Sequence, residues 1–186
     1  MTKWLSHRMV ERGIIKEEEQ ELYQFGIRNG MILLLNVVTA LVIGLLTEQL
    51  AVVAVFTLSF MVLRSYTGGY HSDSRIFCYL GSNLVLLVPV YTQAVFYKTS
   101  LAWLLAVLLV SAGIIFLLSP MHSKNRKLDK EEQKHFGRKA RLIVALELAV
   151  LGILWHAGQI PYAYAVYTGI CITALFMLVG KAQLWI

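Results

Sequence analysis

Apolar residues occur along the chain in six long stretches that are separated by short polar segments. The stretches cover roughly residues 31–46, 50–63, 77–97, 101–119, 142–157 and 160–180. An α-helix needs about 20 predominantly apolar residues to cross a bilayer, and the shorter stretches reach that length with flanking residues or by tilting. The pattern therefore predicts an all-α polytopic membrane bundle of about six transmembrane segments.

The first 25 residues have a different pattern, in which charged and apolar positions alternate. Trp4, Met9, Ile15 and Phe25 can share part of one helical surface, as they would in an amphipathic helix. Such helices lie in the membrane interface. We predict a cytoplasmic interfacial helix over residues 1–28; the alternative is a solvated lead-in. The whole chain, 1–186, is expected to form a single membrane domain.

Composition supports a membrane protein and excludes an ordinary soluble domain. The chain is 58% hydrophobic and only 15% charged, which is too apolar for one water-soluble core of this size. Its formal net charge is +6, and that charge alone would be compatible with a nucleic-acid partner. In a membrane protein, however, excess Lys and Arg are first explained by orientation and by contact with anionic lipid. We therefore expect the lipid bilayer, and no nucleic acid, as a partner.

The positions of the 17 Lys and Arg residues predict how the chain is oriented. Five precede the first apolar stretch, two lie in residues 64–76, eight lie in residues 120–141, and Lys181 follows the last stretch. Only Lys98 lies in one of the other connections. Cytoplasmic loops carry the excess of positive residues. Both termini and the 64–76 and 120–141 loops should therefore face the cytoplasm of a cell-membrane protein.

Candidate chemistry is concentrated in residues 64–79, where His71 and Cys78 stand seven positions apart. A cysteine reacts as its thiolate, and a neighbouring imidazole can take the thiol proton. On one continuous helix the two residues would be about 10 Å apart along the axis, so the chain must fold back between them. The Gly68-Gly69 pair permits such a turn. Ser72, Asp73 or Ser74 could cap a new helix, and Cys78 would then lie near the positive end of that helix.

Other interpretations of these residues are open on the sequence alone. Cys78 lies beside Ile76, Phe77 and Leu80 and could be a small apolar part of the bundle wall. A metal site is disfavoured, because a fourth ligand and the common zinc spacings are missing. We expect no metal and no cofactor.

Two segments resemble the accessory gene regulator B family of membrane peptidases from Gram-positive quorum-sensing systems. Arg64, Gly68-Gly69, His71 and Cys78 are similar to the family's R-x(4)-G-x-H-x(6)-C core. The segments Ser119-Pro120-Met121-His122 and Asn125-Arg126-Lys127-Leu128 are similar to its proline and Asn-Lys-x-Leu loop. Here Arg126-Lys127 replaces the Lys-Pro that is often found in that loop, so the positive charge is kept and a turn-former is lost.

The resemblance implies a cysteine endopeptidase that removes the acidic C-terminal part of a membrane-associated pro-peptide on the cytoplasmic side. Cys78 would be the nucleophile and His71 the base and then the acid, with Arg64, Gly68 and Gly69 supporting the loop. The N-terminal product would be held as a thioester and passed to an internal nucleophile of the peptide, which closes a ring and gives an autoinducing peptide.

Further charged residues are candidates for binding the substrate. Positive side chains can attract an acidic peptide, and an acid inside a membrane segment is a functional candidate by default. Glu147 is such an acid, although it could equally pair with Arg141 near the interface. The candidate substrate-binding residues are Lys124, Asn125, Arg126, Lys127, Lys130 and Glu147.

Two other classes of function compete with a peptidase. A small transporter or permease for a peptide or an ion could use Glu147 and the Gly-Gly break to line a path, and it would tolerate Cys78→Ser. A non-catalytic membrane scaffold would tolerate the loss of both His71 and Cys78. Six short helices with one site on the cytoplasmic face are also compatible with a symmetric homodimer.

Overall fold

The computed structural model describes residues 2–68, 75–121 and 129–183, and every regular element in these ranges is helical. The prediction of an all-α fold is confirmed. A 3₁₀ turn, Glu17–Glu19, precedes the second helix. The helices are α1 (Thr2–Glu11), α2 (Gln20–Leu46), α3 (Leu50–Thr67), α4 (Arg75–Tyr91), α5 (Gln93–Lys98), α6 (Leu101–Leu118), α7 (Lys130–His156) and α8 (Ile160–Gln183).

Four helical segments in the described ranges are long and apolar enough to cross a membrane: Glu17–Leu46, Leu50–Thr67, Leu101–Leu118 and Ile160–Ala182. The other two predicted stretches have a different form. Stretch 77–97 is divided between α4 and α5, and Pro89, which cannot donate a helical hydrogen bond, lies in the last turn of α4. Stretch 142–157 is the apolar second half of α7, whose first half is charged.

Contacts within the chain divide it into two compact units, residues 1–39 and residues 40–186, and α2 crosses the boundary. The single domain that the sequence suggests therefore stays a prediction. In the first unit, segment 1–28 is not one helix, because α1 ends at Glu11. Gly13, with φ +66°, donates to Val10, and Ile14 donates to Met9. These two hydrogen bonds form the glycine-based motif that commonly ends helices.

The second unit is built around α8, which contributes to both of its apolar clusters. One cluster joins α8 to α3, α6 and α7 and includes Leu63, Ile115, Val144 and Ile170. The other joins α8 to the end of α2, α3 and α4, and its largest fully buried side chain is Phe56. Together the clusters hold α3, α6, α7 and α8 side by side. As a result, the end of α3, the end of α6 and the start of α7 lie close together. The candidate catalytic segment begins after α3, and the basic segment that follows Ser119 runs from α6 to α7.

Candidate catalytic loop and its supports

The candidate catalytic loop leaves α3 through Gly68, whose backbone has φ 69° and ψ −151°. This region of backbone space is essentially restricted to glycine. The carbonyl oxygen of Gly68 accepts hydrogen bonds from the Arg64 guanidinium and, at 3.3 Å, from the Thr67 hydroxyl. Thr67 is completely buried. The Arg64 and Gly68 of the sequence motif are therefore in direct contact, and together they set the direction in which the chain leaves the helix.

A second segment, Ser119–Met121, closes against this turn; we call it the Pro120 segment. The backbone N–H of Met121 donates to the carbonyl oxygen of Thr67 at 2.9 Å. A Cβ added at Gly68 would lie 2.6 Å from the Met121 carbonyl oxygen, which is closer than real atoms pack. The Pro120 segment follows α6 and contains a cis Ser119-Pro120 bond. The two motifs found in the sequence thus meet at one point of the fold.

Helices α7 and α8 also pack against the end of α3 and the Pro120 segment. Gly137 of α7 lies so close to the Pro120 segment that an added Cβ would be 3.1 Å from Pro120 Cδ. Phe176 of α8 lies under the Arg64 guanidinium, whose central carbon is 5.5 Å from the ring centroid. The rings of Tyr66 and Phe136 are 6.2 Å apart and join α3 to α7. The end of α3 is therefore held by side chains from three directions.

On the far side of the loop, the chain becomes helical again at Arg75, where α4 begins. Cys78 lies in the first turn of α4, as the sequence predicts. The first turn is the positive end of the helix dipole, which favours a negative charge such as a thiolate. Gly69 and His71 lie outside the described residues, and the structure describes Cys78 by its backbone alone. The pairing of His71 with Cys78 is consequently still a prediction.

Most of the candidate substrate-binding residues are not described either. Lys124, Asn125, Arg126 and Lys127 lie outside the described residues, and Lys130 is described only as the first residue of α7. The structure does show how α7 starts. Asp129 caps the helix by accepting from the backbone N–H of Glu132 at 2.7 Å, and the pair forms a capping box. The predicted 120–141 loop is therefore shorter than the sequence suggests, because residues 130–141 form the charged first turns of α7, which begins with a capping box at Asp129.

Glu147 lies inside the bundle and has a partner that the sequence does not reveal. The Ser59 hydroxyl of α3 donates to Glu147 Oε2 at 2.9 Å. Arg141, the alternative partner suggested by the sequence, instead donates from Nε to the Phe116 carbonyl oxygen at 3.2 Å. Its guanidinium also covers the Phe116 ring at 5.2 Å. The structure therefore shows Glu147 joining α7 to α3 at Ser59, about two helical turns before α3 ends at Thr67.

An open cleft of about 480 Å³ lies beside the Pro120 segment, and the sequence analysis did not identify it. A usable signal was nevertheless present, since Lys134, Arg138 and Arg141 are spaced i, i+4 and i+7 on α7 and so share one helical face. Without the fold, nothing indicated that this face borders the Pro120 segment. The lining residues are Ser119, Pro120, Gln133, Lys134, Gly137, Arg138 and Arg141.

The fold and these contacts define an α-helical membrane protein with its candidate site at the end of the helical bundle. A sequence profile described as Accessory gene regulator B matches residues 1–178. The chain therefore belongs to the accessory gene regulator B family, and this membership links it to the accessory gene regulator system of quorum sensing.

Individual relatives agree with the family match at low identity. An AgrB-like protein of Clostridium perfringens (strain SM101 / Type A) is 23% identical over 165 residues, which cover 84% of this chain and 77% of the relative. The Accessory gene regulator protein B of Staphylococcus intermedius is 26% identical over 156 residues, which cover 82% of this chain and 80% of the relative. No solved structure matches the chain.

Proposed function

We propose that this protein is a membrane-embedded cysteine endopeptidase that cleaves a quorum-sensing pro-peptide and promotes its cyclisation. The observation that carries the proposal is the built turn at Gly68. This residue leaves α3 in a backbone conformation that only glycine adopts readily, it rests on Met121, and Cys78 follows in the first turn of α4. A glycine conformation at the end of α3 and a new helix start at Arg75 are the two local features that a chain folding back between His71 and Cys78 would need.

The proposed reaction has two steps. The Cys78 thiolate attacks the scissile carbonyl carbon, the peptide C–N bond breaks, and His71 delivers a proton to the departing amine of the acidic C-terminal fragment. The N-terminal fragment is left as a thioester on Cys78. An internal nucleophile of that fragment, typically a thiol, then gives its proton to His71 and attacks the thioester carbonyl; the new C–S bond closes the ring, and the bond to Cys78 breaks and releases its thiolate. A site with little water near the membrane limits hydrolysis of the thioester.

Binding of the acidic substrate is proposed to use the basic 120–141 loop. Lys124, Asn125, Arg126, Lys127 and Lys130 are the candidate residues. Their loop begins at the Pro120 segment, which is hydrogen-bonded to the end of α3. Positive charge at this place would attract the acidic part of the peptide toward the cleavage site. Glu147 is not included in this proposal, because its carboxylate accepts a hydrogen bond from Ser59 within the bundle.

We place the site on the cytoplasmic side of the cell membrane, together with both termini. The support is the distribution of Lys and Arg, which favours the 64–76 and 120–141 connections and the chain ends. A membrane-impermeant thiol reagent would test this placement. It should modify Cys78 in inside-out vesicles and leave it unmodified in right-side-out vesicles, and the reverse result would contradict the orientation.

Mass spectrometry of the protein in lipid, incubated with the pro-peptide encoded beside its gene, tests the activity. The wild type should release the acidic fragment and gain the mass of the N-terminal fragment. Cys78→Ala should do neither, and His71→Ala should be strongly slowed. Cys171→Ala is the matched control, because Cys171 lies within α8, and it should behave as the wild type does. An intact peptide with the wild type, or equal cleavage by Cys78→Ala, would reject the peptidase and favour a transporter.

A further inference from the structure

The cleft beside the Pro120 segment is strongly positive in its lining. Lys134, Arg138 and Arg141 contribute three cations, and none of the lining residues is acidic. All three side chains are exposed. Among the residues that the structure describes, neither Lys134 nor Arg138 has an ion-pair partner, and the acids Glu131 and Glu132 of the first turn of α7 do not line the cleft. The cleft is therefore suited to an anion.

Arg141 of the cleft is held in position by contacts with α6, unlike a surface cation that moves freely. The Nε of Arg141 donates to the Phe116 carbonyl oxygen at 3.2 Å, and the guanidinium lies over the Phe116 ring. This arrangement directs Arg141 across the gap between α7 and α6. The terminal nitrogens of its guanidinium are then available to a ligand, and a guanidinium binds phosphate through two parallel hydrogen bonds.

The cleft lies at the end of a candidate membrane-spanning helix, at the level expected for the membrane surface. Helix α6 is one of the membrane-spanning candidates and ends at Leu118. The cleft wall begins at the next residue, Ser119, and the carbonyl that holds Arg141 belongs to the last turn of α6. The three cations thus lie at the end of a span, where phospholipid headgroups are found.

Apolar surface continues from the cleft into the membrane-spanning part. Phe116 and Leu117 of α6 are 51% and 79% exposed, and Leu142 of α7, next to Arg141, is 59% exposed. A phospholipid has an anionic head for the cations and acyl chains for this surface. An acidic peptide or a free phosphate ion would use only the charges. The combination of charge and apolar surface favours a lipid.

We infer that this cleft binds the headgroup of an anionic phospholipid, with Lys134, Arg138 and Arg141 on the phosphate and the acyl chains along the exposed residues of α6 and α7. The inference does not depend on the proposed peptidase activity. A bound lipid would contact Pro120 and Gly137, and would therefore stabilise the segment against which Gly68 rests.

Native mass spectrometry of the detergent-solubilised protein tests the inference, with phosphatidylglycerol and phosphatidylcholine of identical acyl chains as probes. The wild type should retain phosphatidylglycerol preferentially. Lys134→Gln/Arg138→Gln should lower that retention roughly tenfold or more, since each cation near a membrane surface contributes measurably to the binding of anionic lipid. The matched control, Arg12→Gln/Lys181→Gln, also removes two exposed charges, neither of which lines the cleft, and it should retain phosphatidylglycerol as the wild type does.

Three results would overturn the inference. The first is equal retention of the two lipids, and the second is an equal loss in the cleft variant and its control. The third is displacement of phosphatidylglycerol by a matched concentration of glycerol phosphate, which has no acyl chains, or of an acidic peptide. That result would show a site that binds phosphate or peptide and does not need the acyl chains. Circular dichroism would confirm that the exposed substitutions leave the helices intact, and the charge-preserving Arg138→Lys should keep at least part of the lipid preference.

Discussion

The backbone N–H of Met121 donates a hydrogen bond to the carbonyl oxygen of Thr67 across 2.9 Å. These residues belong to the two motif-bearing segments, which are distant in the sequence. The last carbonyls of a helix have no partner within the helix, so the Pro120 segment satisfies one of them at the end of α3. A displacement of the Pro120 segment would therefore also displace the end of α3 and Gly68, where the candidate catalytic loop begins.

Substitution of Gly68 by alanine should disrupt this junction. The backbone conformation at Gly68 is strained for any residue with a Cβ, and the added Cβ would lie 2.6 Å from the Met121 carbonyl oxygen. We expect a loss of stability on the order of 1–3 kcal/mol, visible as a lower midpoint of thermal unfolding in detergent, together with a loss of peptide cleavage.

Gly113→Ala is the matched control for Gly68→Ala. Gly113 lies within α6, and an added Cβ would have no atom within 4 Å. Alanine is the better helix former by roughly 0.5–1 kcal/mol, so the midpoint should stay the same or rise slightly. A Gly68→Ala variant that unfolds at the wild-type temperature and cleaves normally would contradict both the glycine-only conformation of residue 68 and its close approach to Met121.

The sequence predicts the helical class and the positions of the apolar stretches because both depend on local composition. It also predicts that a helix begins a few residues before Cys78. Gly68-Gly69 is a local signal for a helix break, and the Ser and Asp residues that follow are typical of a helix N-cap. Contacts between distant residues have no such signal. The bond between Ser59 and Glu147, and the approach of Gly137 to Pro120, follow from how α3, α6 and α7 pack, and neither partner indicates the other in the sequence.

The hydrogen bond between Ser59 and Glu147 should contribute to stability. Ser59→Ala removes the donor that Glu147 Oε2 uses, and because Glu147 is partly buried, the loss should be on the order of 1 kcal/mol. Glu147→Gln keeps an acceptor oxygen and should cost less than Ser59→Ala. Thermal unfolding of both variants and of the double variant gives the coupling between the residues.

Ser65→Ala controls for the removal of a serine from α3. Ser65 is exposed, and its hydroxyl donates to the Met61 carbonyl in the same helix, so the midpoint should change little. Additive effects of Ser59→Ala and Glu147→Gln would show that the two side chains do not interact. Normal cleavage by Glu147→Gln is also expected, because Glu147 contacts α3 at Ser59, about two helical turns before the candidate loop begins at Gly68.

The packing of α8 against α3 gives a prediction about Gly169. An added Cβ would lie 2.5 Å from Ser59 Oγ and 3.2 Å from Ser59 Cβ. Gly169→Ala should therefore force α3 and α8 apart at a cost of about 1–3 kcal/mol. Gly152→Ala, on α7, meets no atom within 4 Å and should be tolerated. Equal unfolding midpoints for the two variants would contradict the close approach of these helices.

The two cysteines should differ in their reaction with a thiol probe near neutral pH. Cys78 lies in the first turn of α4, at the positive end of the helix dipole, and the proposal gives it His71 as a proton acceptor. Cys171 is partly buried within α8, where a thiol reacts slowly. Labelling of the Cys171→Ala variant, which reports Cys78, should be at least about tenfold faster than labelling of Cys78→Ala.

Adding His71→Ala to the Cys171→Ala variant should remove most of that difference in rate. Equal rates for the two cysteines would mean that Cys78 is an ordinary thiol, and a fast rate that persists in His71→Ala would assign its activation to the helix end instead of the imidazole.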